Sequence, residues 1–149
     1  MTPEPRRCGP CTACCIVLGI AELSKPEHTR CDFLSTARAG ARGCGCLRYD
    51  DRPVECGAYR CAWLDGFGGR ADRPDDLGVI FDGGANASSG TIIAREVTIG
   101  AASGMRASGI IAKLRQSKVV VIATKDGQRH ASGPSHLIDA FLRLAKRPQ

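Results

Sequence analysis

The chain has 149 residues and a mass of 15.8 kDa, room for one domain or two small ones, and its 43% hydrophobic content suits a globular fold rather than a disordered segment. Lys and Arg outnumber Asp and Glu by 21 to 15, a net charge of +6, yet they form no long basic run and aromatics make up only 5%, so nucleic acid is not an expected partner and the charge reads as solvated surface. The longest strongly apolar stretch, Val119 to Ala123, is far short of the roughly 20 residues that span a bilayer, so no membrane partner is expected.

All nine cysteines fall in the first part of the chain, as Cys8-x2-Cys11-x2-Cys14-Cys15, then Cys31, then Cys44-x-Cys46, then Cys56-x4-Cys61. The N-terminus, Met1-Thr-Pro-Glu-Pro-Arg-Arg-Cys8, lacks the apolar run of a secretory signal peptide, so a cytoplasmic location with reduced thiols is expected. In that setting turn-spaced cysteines favour metal ligation over disulfides. Two residues between thiolates let a tight turn aim both sulfurs at one ion about 2.3 Å away, the distance expected for zinc. Three ligands then come from one short loop, and Cys31, Cys46, Cys56 and Cys61 are available to close a site. Gly9, Pro10, Gly43, Gly45 and Gly57 sit beside these cysteines, where a wrapping backbone uses positive φ angles or preset turns.

Between the cysteines, Ile16 to Ile20 reads as a short strand-like run, Ala21 to Leu23 as at most one helical turn, and Arg52-Pro53 as the start of a turn or helix leading to Cys56. Five of the seven aromatics, Phe33, Tyr49, Tyr59, Trp63 and Phe67, lie in this zone and are expected to pack around the metal. Cys14 and Cys15 cannot easily face one ion from an extended backbone, since successive side chains there point opposite ways. One of them serves a second ion or is an ordinary buried cysteine.

Cys8-Gly-Pro-Cys11-Thr-Ala-Cys14-Cys15, followed by Gly45-Cys46-Leu-Arg-Tyr49-Asp-Asp-Arg52-Pro53-Val-Glu-Cys56 and Tyr59-Arg-Cys61, resembles the bacterial cysteine-cluster family of the YkgJ type, described as zinc- or iron-chelating. The resemblance covers about residues 6 to 64. It implies metal binding by Cys8, Cys11, Cys14, Cys15, Cys31, Cys46, Cys56 and Cys61, with Cys44 as the one thiol outside the pattern. Tyr49 and Arg52 read as packing and hydrogen-bonding supports of the cysteine loops rather than catalytic groups. Eight ligands suit two four-thiolate sites or one cluster with reserve thiols; nine would suit a three-metal cluster with bridging sulfurs. The implied cofactor is zinc or iron, the latter including an iron-sulfur cluster. An all-sulfur site excludes magnesium and calcium and admits copper(I). Zinc is preferred, because nothing else in the chain resembles a redox partner site.

Residues 6 to 70 thus form a cysteine module, and residues 71 to 149 a small region completing the fold. Gly66 to Asp76, with its glycines, proline and alternating charges, reads as a linker. Leu77 to Phe81 and Thr91 to Ile99 read as strands around a flexible turn, Asp82 to Gly90. Ile110, Ile111 and Leu114 recur at helical spacing within residues 103 to 116, before a strand from Lys118 to Thr124 and a hairpin signal at Asp126-Gly127. Ser132-Gly-Pro134-Ser opens a last helix with Leu137, Ile138, Phe141, Leu142 and Ala145 on one face. The order β-β-α-β-(β)-α predicts an α+β fold, a loop-rich metal module followed by a small sheet with helices on one face.

No second chemistry stands out. The glycine-rich stretches lack a dinucleotide or phosphate-loop signature, and Ser135, His136 and Asp139 are neighbours on one helix that do not converge as a triad. His28 alone of the three histidines lies inside the module, as an exposed residue or a supplementary ligand. The expected function is a metal-binding protein with no catalytic constellation. The alternatives are an iron-sulfur redox component, or an accessory part of a modifying enzyme of the flagellin lysine methylase kind, with the C-terminal region as the surface for a protein partner.

Overall fold

Val- and Ile-rich runs in the C-terminal part form a four-stranded sheet in the structure, a computed structural model that describes residues 4–35, 45–83 and 90–146. β1 (Val79–Asp82), β2 (Thr91–Glu96), β3 (Val119–Ala123) and β4 (Arg129–Ser132) lie side by side in chain order. β1 and β2 are antiparallel, as are β3 and β4, whereas β2 and β3 are parallel and joined through a helix, Met105–Leu114. A parallel pair needs such a crossover. The result is the expected α+β architecture. The hairpin at Asp126-Gly127 closes with the Gly127 amide donating to the Thr124 carbonyl at 3.0 Å and Gly127 at φ 89°. Residues 84–89, within the turn expected between β1 and β2, lie outside the described residues.

Strand alternation divides the sheet's side chains between two cores. Val79, Phe81, Ile92, Ala94 and Val120 pack with Ala107 and Ile111 of the crossover helix. Ile80 and Val97 point the other way, into a cluster with Ala13, Val17, Cys61 and Trp63 of the cysteine module. The sheet is therefore a middle layer between that helix and the thiol-rich loops. Ile80, 2% exposed, is the anchor of this second contact, and burying such a side chain is worth about 1.5–3 kcal/mol. Beside it in register, Arg95 is nearly buried and reaches Asp82 at 3.4 Å and Glu27 of the module at 3.2 Å, while Arg129 of β4 holds the other Glu27 oxygen at 2.9 Å.

The module is built from short pieces. α1 is Ala13–Val17, a 3₁₀ turn follows at Ala21–Leu23, and α2 is Val54–Ala58 with Pro53 immediately before it. The strand expected at Ile16 to Ile20 is not formed: the chain coils from Cys14, whose carbonyl accepts from the Leu18 amide at 3.1 Å, and only Ile20 keeps an extended pairing, an isolated bridge to Lys25. Tertiary packing decides this, because the turn puts Val17, fully buried, against Trp63 and Ile80.

The stretch expected as a linker is ordered structure. It holds a 3₁₀ turn at Arg70–Asp72 and α3 at Pro74–Leu77, with proline at the helix start. Asp72 accepts from the Gly69 amide at 2.7 Å, and Arg6 donates to the Trp63, Phe67 and Gly68 carbonyls at 2.7–2.9 Å. Leu77 belongs to α3, so β1 begins two residues later than expected. Between them Gly78 takes φ 75°, where an added Cβ would lie 2.7 Å from the Ala101 side chain. The crossover helix is α4, and α5 (Ser135–Ala145) follows Pro134 and contacts β3. Among the described residues no helix is long and apolar enough to cross a membrane.

Candidate metal centre

Each local turn of the module delivers a thiol to the same place. Gly9, at φ 54°, lets the Cys11 amide reach the Cys8 carbonyl at 3.0 Å, which folds the first two cysteines into one turn. α1 then carries Cys14 and Cys15. The Cys31 amide donates to the Cys15 carbonyl at 2.9 Å, and a bridge between Leu34 and Cys46 brings the next thiol alongside. At Gly45 an added Cβ would meet Leu34 and the Ser35 carbonyl at 3.1–3.2 Å, so this close approach requires glycine. Gly57 is an ordinary helical residue of α2, beside Cys56, and Gly43 lies outside the described residues. Cys61 ends the series, held to the sheet by the Ala62 amide donating to the Phe81 carbonyl at 2.9 Å.

One cavity of about 620 Å³ is lined by Cys8, Cys11, Cys14, Cys15, Cys31, Cys46, Cys56 and Cys61, the whole of the expected ligand set. None of the eight is joined in a disulfide. Cys44 lies outside the described residues. Among the described residues the lining also includes six basic side chains, Arg6, Arg7, Lys25, Arg48, Arg52 and Arg60, and no Asp, Glu or His. Sequence reading had assigned the basic charge to solvated surface. These residues are dispersed from position 6 to 60, so no local run marked them as one group.

Several of the cations are braced by aromatics. Arg52 lies 4.1 Å from the Tyr49 ring centre and donates to the Tyr49 carbonyl at 2.8 Å, and Arg48 lies 4.9 Å from the Phe33 ring centre. This is the supporting arrangement expected of Tyr49 and Arg52. Phe33, Tyr49 and Tyr59 line the cavity, whereas Trp63 packs beneath it and Phe67 turns to Phe81 with ring centres 5.2 Å apart. His28 is half-buried, sits at φ 57° and does not line the cavity.

The electrostatics are those of buried thiols facing cations. Burial pushes the Cys11 thiol up to about 11. Cys14 is held protonated by a hydrogen bond from its thiol to Cys15 and then by burial. That same bond brings Cys15 down to about 7 against the effect of burial, with the charges of Lys25 and Arg30 assisting. Cys56 is raised by burial first, then by the negative charges of Cys15, Cys31 and Cys46. Lys25, donating to the Leu18 and Pro26 carbonyls, is lowered by burial, a shift opposed by the charges of Cys31, Cys15, Cys14 and Cys56.

Among the described residues no three Cys, His, Asp or Glu side chains are gathered into a coordination shell. The donor chemistry nonetheless fits a soft metal: every candidate ligand on the wall is sulfur, and cations surround it. Tyr59 adds an independent feature. Its hydroxyl is buried without a hydrogen-bond partner, and burial, then the charge of Asp82 and after it those of Cys61 and Cys14, hold it well above the usual phenol range. Compared with known proteins, the chain matches no family model, no curated protein and no solved structure.

Proposed function

We propose that this chain is a cytosolic metal-binding protein that holds zinc or iron through the thiolates of its N-terminal module. The observation that carries this reading is the cavity on which eight cysteines outside any disulfide and six basic residues converge, with no acidic or imidazole side chain on its wall among the described residues. Thiolates are the soft donors that bind zinc, iron and copper(I), and they leave a net negative site that the arginines and Lys25 offset. Eight thiols around one space, none of them in a disulfide, have little structural use of their own, since such cysteines otherwise serve as small apolar fillers of a packed core.

The metal would act first as a staple. The module contains helices of five residues and two isolated bridges, too little regular structure to hold its loops, and thiolate coordination supplies the missing cross-links. The test is metal content after substitution. Cys11→Ser and Cys56→Ser should each lower the metal retained against a competing chelator, while Cys44→Ser should leave it unchanged. Equal retention by all three variants would sink the ligand assignment. Colourless, zinc-loaded protein supports the structural role; brown, iron-loaded protein supports a redox role on the same ligands.

A further inference from the structure

We infer that the eight cysteines divide into two separate four-thiolate sites, one formed by Cys8, Cys11, Cys14 and Cys61 and the other by Cys15, Cys31, Cys46 and Cys56, so that the adjacent pair Cys14-Cys15 is split between them. This rests on the metal-binding reading above and deepens it.

The first set belongs to the core shared with the sheet. Cys61 is 6% exposed among Ala13, Val17, Trp63 and Ile80, and Cys11 and Cys14 pack against that same cluster. Cys8 joins them through the turn that its carbonyl makes with the Cys11 amide.

The second set hangs on different backbone. The Cys31 amide bonds the Cys15 carbonyl, the Leu34 amide bonds the Cys31 carbonyl at 3.1 Å, and Leu34 pairs with Cys46. Cys56 closes the group from α2, on the wall of the cavity that Cys15, Cys31 and Cys46 also line. Among the described residues none of these four packs into the cluster around Cys61. Because α1 is helical, Cys14 and Cys15 are set about 100° apart around its axis, and giving up the hydrogen bond from the Cys14 thiol to Cys15 frees each to serve its own neighbouring site.

Stoichiometry and charge agree with the division. Four thiolates saturate a tetrahedral ion, so eight saturate two. Each divalent ion with four thiolates carries two net negative charges, and the six basic residues lining the cavity can offset both centres. Closing each site needs the cysteines to rotate between staggered rotamers into the cavity, and every thiol still protonated, Cys14 among them, releases its proton as the metal–sulfur bond forms. No electron transfer is involved.

The test uses the full chain loaded with zinc or cobalt(II) and challenged with a chelator. The wild type should hold two equivalents. A double variant within one set, Cys8→Ser with Cys61→Ser, should retain one equivalent and, with cobalt, the charge-transfer bands of an intact four-thiolate site. A double variant across the sets, Cys8→Ser with Cys56→Ser, should retain no four-thiolate site. If the within-set variant lost both equivalents, or the cross-set variant kept a complete site, the division would be wrong. Zinc X-ray absorption on the wild type tests it without any substitution: the expected shell is sulfur alone at about 2.3 Å. A second metal at about 3.5–4 Å would mean sulfurs shared in one cluster, overturning the two-site division but leaving metal binding intact. A wild-type chain that takes up no metal would overturn both.

Discussion

The sheet and the cysteine module are ordered by different means. The sheet has ladders of paired strands, a helix packed on one face, and a core of Val, Ile, Phe and Ala whose largest members are almost wholly buried. The module has five-residue helices, isolated bridges, and a wall of thiols and arginines around a cavity. Its apolar support is borrowed from the sheet through Ile80 and Val97. Regular hydrogen bonding and burial account for the first region. The second gathers thiols around a cavity without such ladders among the described residues.

The largest expected effect follows from this contrast. Structural zinc supplies about 10–16 kcal/mol of apparent binding energy in small thiolate modules, so stripping metal from the loaded protein should abolish amide protection across residues 8 to 61 while β2, β3 and α4 stay largely protected. Hydrogen exchange before and after chelation checks it. Equal protection in both regions would mean the module stands on packing alone.

Core truncations sharpen the comparison at a smaller scale. Ile111→Ala and Ile80→Ala should each cost about 2–5 kcal/mol in denaturant unfolding, as both side chains are 1–2% exposed. Only Ile80→Ala should also speed metal loss to a chelator, because it alone removes a side chain packed against the thiol cluster. Identical metal release by both variants would show that the sheet does not support the module.

Arg95→Ala removes the cation shared by Asp82 and Glu27 across the boundary and should cost about 1–3 kcal/mol, the penalty of leaving partly buried carboxylates short of a partner. A loss well below that range would mean that water replaces the guanidinium there. The smallest effect belongs to Asp72, whose carboxyl is held below the usual aspartate range by a hydrogen bond from Arg106 at 2.6 Å and then by the Gly69 amide. A depressed folded-state value stabilises the protein above the unfolded value of about 3.9 and loses that contribution as pH falls through the folded value. Asp72→Asn should therefore reduce stability at pH 7 by at most about 1 kcal/mol and flatten the dependence below pH 4, measured by unfolding at both pH values.

The elements of the sheet were legible because their residues repeat at the period of the structure they form. Ile110, Ile111 and Leu114 mark α4, and the β-branched runs mark β2 and β3. Ile16 and Val17 misled for the converse reason: two β-branched residues suggest a strand, but one turn of helix after closely spaced cysteines places Val17 in the core. Gly66 to Asp76 has the composition of a linker, and its order comes from the distant Arg6 guanidinium and from Asp72, neither visible as local periodicity. The resemblance singled out the eight thiols that line the cavity. It could not show that the Cys31 amide bonds the Cys15 carbonyl across a loop. Nor could it gather Arg6, Lys25 and Arg60 around them.

Elemental analysis of the full chain, purified anaerobically and without chelator, tests the central claim most directly. Zinc or iron bound at least stoichiometrically, and removed together with the protection of residues 8 to 61, is the expected result. Folded protein free of zinc, iron and copper, with that protection intact, would contradict it.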